Sequence, residues 1–284
     1  MKTIAVYHNK GGVGKTTLTV NLAASFSRKG YRVLLIDLDS QANSTYAAGL
    51  IKFQDELQDD IKENYVYHVI RERNSHFIPS VAKTSKFTEP SFDVVPSHID
   101  LMQHEKELIE IAPARTRLFS KLQKIENDYD VVFIDTPPSL NIYSQIALIA
   151  ANYLLIPSDL KPFANEGLRN VQNFISETNE FREQMGQNEL QVLGIVPSKI
   201  ATAHRFVQFV LPKMEQTVKE RYGFPVLKSR IFDRRDVSAA IERTSEVGEL
   251  DIPDPQSIFD YKANSQAAAE FEALTLEVKQ LVGI

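Results

Sequence analysis

Short apolar segments alternate with longer amphipathic segments along most of the chain. The apolar segments are rich in Val, Ile and Leu and lack in-and-out alternation, which is typical of strands covered on both faces of a parallel sheet. Six of them are predicted as strands: Thr3–Tyr7, Val33–Ile36, Phe92–Val95, Val131–Ile134, Tyr153–Ile156 and Val192–Val196.

The amphipathic segments predict helices between these strands. After the first strand, Leu18, Leu22 and Phe26 recur at helical spacing, and Gly30 stands where this helix should end. Further helices are predicted at Arg115–Glu126, Tyr143–Ala151, Asn165–Arg182, Arg205–Glu220, Val237–Glu246 and Gln266–Leu281. The order predicts an α/β fold: a single doubly wound, mostly parallel sheet of six or seven strands, with helices on both faces. Its ligand site should lie at the carboxyl ends of the strands.

One segment, Ile51–Pro90, departs from this alternation. It is polar, begins with the acidic residues Asp55, Glu56, Asp59, Asp60 and Glu63, and holds only a weak helix near Tyr65–Arg71. We interpret it as an excursion from the sheet within one domain that spans residues 1–284.

The composition excludes several classes of protein. Of the 284 residues, 43% are hydrophobic and 24% are charged, which is ordinary for a chain that buries a core. The absence of cysteine removes disulfides, thiol nucleophiles and cysteine-based zinc sites. No apolar run reaches the ~18 residues of a membrane span, and the N-terminus lacks the apolar stretch of a signal peptide. We therefore expect a cytoplasmic protein.

Charge is distributed unevenly. The chain has 32 basic and 37 acidic residues, a net charge of −5. Residues 199–243 (hereafter the basic region) hold ten basic and five acidic residues, a local charge of +5. Residues 244–284 hold eight acidic and two basic residues, a local charge of −6. A local anionic partner is therefore compatible with an acidic chain.

The residues between the first strand and the first helix predict a phosphate-binding loop. The sequence of residues 9–17 is NKGGVGKTT. Glycines allow backbone N–H groups to turn inward, and the helix N-terminus adds positive potential. Lys15 can reach terminal phosphates, and the Thr16 hydroxyl can bind Mg²⁺. The usual pattern is G-x-x-x-x-G-K-[ST], whereas here Asn9 replaces the first glycine and a second lysine, Lys10, follows it.

Carboxylates stand at the ends of two predicted strands. Asp37 and Asp39 follow the second strand, and Asp135 ends the fourth. We expect the fourth strand beside the first, where the Asp135 carboxylate can hold Mg²⁺ through water. Because Asp readily caps loops, turn formation is an alternative role for Asp37 and Asp39.

Together these motifs resemble the ParA/MinD family of P-loop ATPases. The sequence KGGVGKTT is similar to the family's deviant Walker A motif, and residues 132–138, VFIDTPP, resemble its Walker B motif. Residues 36–43, IDLDSQAN, resemble the family pattern D-x-D-P-Q-x-N, with Ser40 where the family usually has proline. More loosely, Ile231–Gly248 is similar to the family's C-terminal DNA-binding region.

The resemblance implies that the chain binds ATP and Mg²⁺ and hydrolyses ATP. It implies that Lys10 crosses a homodimer interface to the partner's nucleotide, so that ATP favours the dimer and hydrolysis releases it. Asp39 would orient the attacking water, which makes Lys10, Lys15 and Asp39 the predicted catalytic residues. The predicted metal site comprises Thr16, Asp37 and Asp135. The predicted nucleotide-binding residues are Lys10, Gly11, Gly12, Val13, Gly14, Lys15, Thr16, Thr17 and Pro197.

Pro197 follows the sixth strand, in a part of the chain that resembles the border of the family's base site. A proline that merely ends a strand is an equal alternative.

The resemblance also implies nonspecific DNA binding in the ATP dimer, with contacts in the basic region at Arg230, Arg234, Arg235 and Arg243. Phosphate contacts need only suitably placed Lys and Arg, and dimerisation would strengthen a weak patch by avidity. A solvated helix face with interleaved acids is the alternative.

The preferred function is a nucleoid-associated ATPase switch that partitions a plasmid or chromosome. Its partner would be a ParB-like or other adaptor protein that stimulates hydrolysis. One alternative is the same switch positioning a protein assembly such as carboxysomes or chemosensory clusters, and another is a metabolic P-loop ATPase. A membrane partner is not expected, because the last predicted helix carries Glu270, Glu272 and Glu277 against Lys279.

Overall fold

A computed structural model describes residues 1–50, 59, 61–247 and 250–284. Its main sheet has seven strands in the order β3-β4-β2-β5-β1-β6-β7, and neighbours are parallel except that β3 is antiparallel to β4. The predicted α/β fold with a mostly parallel sheet is confirmed. In chain order the strands are β1 (Lys2–Val6), β2 (Val33–Asp37), β3 (Lys83–Thr84), β4 (Asp93–Val95), β5 (Val131–Asp135), β6 (Tyr153–Ser158) and β7 (Gln191–Pro197).

The described helices connect these strands and follow the last one. A 3₁₀ turn at Ile99–His104 leads into α5, and a π-helical turn at Phe206–Val210 leads into α9. In chain order the helices are α1 (Lys15–Arg28), α2 (Asn43–Ala47), α3 (Val66–Arg71), α4 (Ile78–Val81), α5 (Glu105–Glu110), α6 (Ala114–Gln123), α7 (Ile142–Ala150), α8 (Pro162–Gln184), α9 (Leu211–Tyr222), α10 (Arg235–Ile241), α11 (Ile258–Tyr261) and α12 (Gln266–Val282).

Helices cover both faces of the sheet. Ile4 and Val6 of β1 belong to a core cluster that includes α1 and α12, whereas Ala5 and Tyr7 belong to a cluster that includes α3, α6, α7 and α8. Every residue of β2 and β5 is buried. Burial on two faces is the reason for the continuous apolar runs in the sequence.

Within the segment 51–90, the described residues return to the sheet. The helix predicted near Tyr65–Arg71 is confirmed as α3, and Ile61 and Tyr65 are buried in the same core cluster as α6. Strand β3 then adds a short edge to the sheet. Residues 51–58 and 60, which include Asp55, Glu56 and Asp60, lie outside the described residues.

After β7, the chain runs along the edge of the sheet. The Ile195 N–H donates to the Pro225 carbonyl at 2.8 Å, and the Leu227 N–H donates to the Ile195 carbonyl at 2.9 Å. Gly194 makes this approach possible, because it has a φ of 138° and a Cβ there would lie 2.7 Å from the Pro225 carbonyl oxygen. The basic region is thereby fixed beside the carboxyl end of β7.

The predicted helix Val237–Glu246 is wrong in its second half. Helix α10 ends at Ile241, and Thr244–Val247 forms strand β8, which pairs antiparallel with β9 (Leu250–Pro253). Thr244 and Val247 are β-branched residues that favour extended backbone. The end of the family-like segment, Gly248, lies outside the described residues. Among the described helices, none has both the length and the apolar character needed to cross a membrane.

Candidate functional site

The predicted phosphate loop lies between β1 and α1, at the carboxyl edge of the sheet. Gly12 and Gly14 have φ values of 76° and 93°, in the region that favours glycine. Gly11 faces the Walker B segment, where a Cβ would lie 3.9 Å from Pro138 Cγ. Helix α1 begins at Lys15. The unpaired N–H groups of its first turn therefore face the loop, which creates a site for an anion.

The Lys15 side chain lies within this loop and is buried. Its Nζ donates to the Lys10 carbonyl at 3.3 Å. Burial lowers the Lys15 pKa, and the nearby Asp135 and Asp39 carboxylates oppose this shift. A partly desolvated ammonium group held against the loop is suited to bind phosphate oxygens.

Two hydroxyl groups meet the Asp135 carboxylate beside the loop. The Thr16 hydroxyl donates to Asp135 Oδ2 at 2.7 Å, and the Ser44 hydroxyl donates to the same oxygen at 2.6 Å. As expected, β5 lies next to β1, and Asp135 pairs in register with Val6. Hydroxyl and carboxylate oxygens are the ligands that Mg²⁺ prefers, so Thr16 and Asp135 fit a magnesium site. Ser44 was not predicted from the sequence.

Asp37 lies beside Asp135, because the two residues pair in register at the ends of β2 and β5. Burial raises the pKa of both carboxyl groups, and proximity to Asp135 raises that of Asp37 further. The Thr45 N–H and hydroxyl donate to Asp37 Oδ2, both at 2.8 Å, and the Asp39 N–H donates to Asp37 Oδ1 at 3.0 Å. Asp37 thus ties the segment after β2 to the sheet, while its part in the metal shell stays a prediction.

Asp39 follows β2 and is 7% exposed. Its Oδ1 accepts a hydrogen bond from the Gln41 N–H at 3.0 Å, which is the turn contact that the sequence left open as an alternative. Among the described residues, the hydrogen bonds to the Asp39 carboxylate involve its Oδ1 and not its Oδ2. The turn therefore leaves one carboxylate oxygen for a water molecule, and the catalytic role of Asp39 stays a prediction.

The second lysine of the loop, Lys10, forms an ion pair beside it. Lys10 Nζ lies 3.1 Å from Asp159 Oδ2, and the two side chains are 22% and 14% exposed. Asp159 directly follows β6, which neighbours β1. Sequence reasoning missed Asp159, although a carboxylate at the carboxyl end of a neighbouring strand is a signal that could have identified it.

His8 and Asn9, the two residues that precede Lys10, pack against α8. The Lys10 N–H donates to His8 Nδ1 at 3.0 Å. Burial, with contributions from Lys15 and Lys10, lowers the His8 pKa to about 4, so the ring is neutral. A Cβ on Gly167 would lie 2.5 Å from Asn9 Oδ1 and 3.1 Å from His8 Cε1. Gly167 therefore allows α8 to approach the loop, a contact that the sequence did not reveal.

A pocket opens at the start of α1, on the side of β7. Pro197 ends β7, and its carbonyl accepts a hydrogen bond from the Ile231 N–H at 2.8 Å. The neighbouring Ser198 donates to the Val13 carbonyl at 2.7 Å and joins this region to the phosphate loop. Pro197 thus lies next to the pocket, and its contact with a base stays a prediction. The pocket is lined in part by Thr17, Leu18, Ser198, Lys199, Phe232 and Asp233.

Three of the four predicted DNA contacts are engaged in ion pairs. Arg230 makes two hydrogen bonds to Glu215, at 2.8 and 2.9 Å. Arg234 lies 2.7 Å from Glu270 of α12, and Arg243 contacts Asp254. Arg235 is exposed, and no ion pair to it is found within the described residues.

Comparisons with known proteins identify the family of the chain. A family model described as an AAA domain matches residues 1–192. A virulence plasmid ParA family protein of Chlamydia psittaci is 32% identical over 286 residues, which cover 98% of this chain and 95% of that protein.

Two solved structures are similar in fold to this chain. Cobyrinic acid a,c-diamide synthase from Mycobacterium smegmatis, with bound ADP and magnesium, has a TM-score of 0.70 and 28% identity over 84% of this chain and 89% of that one. The ATP complex of Cyanothece McdA has a TM-score of 0.74 and 18% identity over 100% of this chain and 97% of that one.

The loop, the hydroxyl–carboxylate cluster and the sheet define a P-loop NTPase. The chain belongs to the ParA family, as the family-model match and the full-length relative show. The resemblance inferred from the motifs is therefore confirmed.

Proposed function

We propose that this protein is an ATP-dependent dimerising switch that hydrolyses ATP, binds DNA nonspecifically in its ATP state and positions a cargo. The observation that carries this proposal is the placement of two lysines around one phosphate loop. Lys15 lies inside the loop, whereas Lys10 binds Asp159 at its side. We infer that Lys15 binds the subunit's own nucleotide and that Lys10 exchanges its carboxylate partner for a phosphate group of the second nucleotide.

Within one subunit, Lys15 and the amide groups of the first turn of α1 would hold the terminal phosphates. Thr16 and Asp135 would hold Mg²⁺, which neutralises phosphate charge when bound. Asp39 would orient a water molecule toward the γ-phosphorus, so that the bond to the β–γ bridging oxygen breaks and ADP and phosphate leave. The similar structure of cobyrinic acid a,c-diamide synthase, which contains ADP and magnesium, supports the use of a nucleotide and Mg²⁺.

Between subunits, each Lys10 would leave Asp159 and contact the partner's nucleotide. Two nucleotide polyanions can face each other only when cations from both chains neutralise them. ATP then becomes part of the interface, and its hydrolysis removes the ligand that favours the dimer. Ser44 and Thr45 bind Asp135 and Asp37, so the segment that carries Asp39 is joined to the metal site and can respond to the γ-phosphate.

DNA binding is assigned to the basic region, with Arg235 as the strongest candidate because it is exposed and outside the ion pairs found there. Arg230, Arg234 and Arg243 would each have to exchange a carboxylate for a DNA phosphate. We therefore expect weak binding with a steep dependence on salt. Dimerisation doubles the surface and makes this binding conditional on ATP.

A plasmid or chromosome is the cargo that the relatives favour, since the similar protein of Chlamydia psittaci is named a virulence plasmid ParA family protein. The adaptor would be a ParB-like or other protein that stimulates hydrolysis. The likeness to Cyanothece McdA is one of fold alone at 18% identity. A metabolic ATPase is a second candidate, because the 28% identical structure is a cobyrinic acid a,c-diamide synthase.

Oligomeric state tests the proposed switch. With Mg²⁺ and a non-hydrolysable ATP analogue, the wild type should sediment as a dimer, and with ADP as a monomer. Lys10→Ala should bind the analogue but remain monomeric, because its own loop is intact. Lys161→Ala is the matched control, since Lys161 is exposed and lies next to the same carboxylate at 4.0 Å. An analogue-saturated wild type that stays monomeric would falsify the proposal.

Co-sedimentation with nonspecific DNA separates the switch from the metabolic alternative. The ATP-analogue dimer should bind DNA, and the ADP form should not. Asp39→Ala should bind ATP and retain DNA, because the dimer is trapped before hydrolysis. An ATP-analogue dimer that does not bind DNA at low salt would instead favour the metabolic ATPase as the function.

A further inference from the structure

Away from the nucleotide site, two imidazoles and one carboxylate converge at the end of α3. His68, Glu72 and His76 each offer one ligand atom, and these atoms all lie within 4.8 Å of one another. His76 Nδ1 lies 2.8 Å from Glu72 Oε2, and the His68 and His76 ring centroids are 5.0 Å apart. We propose that His68, Glu72 and His76 form a binding site for a divalent transition metal ion, with Zn²⁺ as its occupant.

The state of His68 is the first support for this site. Its Nε2 is buried and has no hydrogen-bond partner among the described residues. A buried ring nitrogen without a partner is costly unless another group binds it. The ring is held edge-on against Tyr65 and Tyr67, with centroid distances of 5.1 Å in both cases. Its orientation is therefore fixed before any ion arrives, and a metal ion would satisfy Nε2.

The backbone that carries His76 is the second support. His76 has a φ of 48°, a left-handed conformation that is unusual for a residue with a side chain. The buried Lys121 side chain of α6 holds this turn, because its Nζ donates to the Ser75 carbonyl at 2.8 Å and to the His76 carbonyl at 2.9 Å. A strained turn that a distant helix supports is typical of a functional position. Here it directs the second imidazole back toward α3.

The kind of ligand atom selects the metal. Two imidazole nitrogens and one carboxylate suit Zn²⁺ and other late first-row ions, whereas Mg²⁺ and Ca²⁺ prefer oxygen alone. A tetrahedral zinc site with bonds of about 2.1 Å needs its ligand atoms about 3.4 Å apart. Shifts of roughly 1 Å or less in three side chains reach that spacing. Glu72 and His76 are 26% and 30% exposed, which gives the ion a path from solvent.

A bound ion would join the end of α3 to the turn before α4, a chain segment that packs on α6. The site lies outside the phosphate loop, the basic region and the carboxylates of the nucleotide site. Its three protein ligands leave one coordination position for water. The ion would therefore cross-link and stabilise this part of the 51–90 segment. This role is separate from the proposed ATP switch.

Isothermal titration with ZnCl₂ tests the site on untagged, metal-free full-length protein, with excess Mg²⁺ present to occupy the nucleotide-site carboxylates. The wild type should bind one equivalent, and its thermal midpoint should rise by about 5 °C in excess Zn²⁺. Glu72→Gln and His76→Gln should each weaken binding at least tenfold. His204→Gln, which removes an exposed histidine elsewhere, is the matched control and should behave as wild type.

Co²⁺ provides a second measurement that does not depend on the variants. Bound Co²⁺ should show the intense visible absorption of a four-coordinate ion, and Zn²⁺ should displace it. Circular dichroism confirms that each variant remains folded. Absence of stoichiometric Zn²⁺ binding by the wild type, or wild-type affinity in both Glu72→Gln and His76→Gln, would overturn the proposal.

Discussion

Replacing Asp159 with asparagine should strengthen ATP-dependent dimerisation, because in the proposed dimer Asp159 would compete with the partner's nucleotide for Lys10. Lys10 Nζ lies 3.1 Å from Asp159 Oδ2, and both side chains are largely buried. Asparagine has the same shape and can still accept the hydrogen bond that the Lys161 N–H donates to Asp159 Oδ1 at 3.2 Å. The substitution therefore keeps the shape of the side chain and removes the charge that attracts Lys10 at 3.1 Å and the exposed Lys161 at 4.0 Å.

The size of the effect follows from the exposure of the pair. An ion pair that remains partly in contact with solvent contributes about 1 kcal/mol. Because both subunits must release their own Lys10, the dimer recovers about 2 kcal/mol, which corresponds to a ~30-fold lower dimer dissociation constant. Salt screens such a pair, so the gain should be smaller at high ionic strength than at low ionic strength.

Sedimentation equilibrium with Mg²⁺ and a non-hydrolysable ATP analogue measures this constant directly. Glu166→Gln is the matched control, because it neutralises an exposed carboxylate on α8 and changes the net charge equally. An unchanged dimer constant in Asp159→Asn would refute the competition. A weaker dimer would also refute it, and would instead assign Asp159 to the interface.

Three further predictions address the loop, the DNA surface and the packing below the loop. Lys15→Ala should lower ATP affinity by roughly 10- to 100-fold in calorimetry, because a charged hydrogen bond to phosphate is lost; full affinity would contradict the loop assignment. Arg235→Glu should weaken DNA binding and reduce its salt slope by about 1 or more, whereas Lys106→Glu on α5 should not. Gly167→Ala should lower the free energy of unfolding by about 1–3 kcal/mol in urea denaturation, since the new methyl group meets Asn9. Wild-type stability in that variant would show that Asn9 can move aside.

Much of the fold is predictable from the sequence because its signals are local. Continuous apolar runs such as Val131–Ile134 arise from burial on two faces, and the spacing of Leu18, Leu22 and Phe26 arises from one helix face. The chemistry of residues 9–17 is local as well. Asp135 could be placed because parallel strands bring their carboxyl ends to one edge of the sheet.

The features that the sequence did not reveal depend on contacts between distant residues. Lys10 and Asp159 are 149 positions apart, and Ser44 meets Asp135 across 91 positions. Strand β3 is only two residues long, so it has no periodic pattern to detect. The second half of the predicted helix Val237–Glu246 is wrong for a different, local reason, since antiparallel pairing with the following strand β9 overrides a weak helical signal.

Acidic residues of α12 reduce the positive charge that the basic region can offer to a partner. Glu270 of α12 binds Arg234, and Glu277 accepts hydrogen bonds from the N–H groups of Lys228 and Ser229, both at 2.8 Å. Glu272, on the same helix, lies 2.7 Å from Lys29 at the end of α1. The positive charge of residues 199–243 is thus partly neutralised from within the chain. In the proposed function, a DNA phosphate would have to displace these carboxylates, which would lower the affinity of one subunit for DNA and make the second subunit necessary.

The same contacts join the basic region to the phosphate loop. Helix α1 begins at the phosphate loop and packs against α12, which in turn holds Arg234 through Glu270. The pocket beside the loop is lined by both Thr17 of α1 and Arg234. A nucleotide that occupied this pocket, as the proposed function requires, would contact the segment whose arginine is held by α12. Under the proposed function, nucleotide binding at the loop would favour the shift of Arg234 from Glu270 to a DNA phosphate, and α1 and α12 would help to couple DNA affinity to nucleotide state.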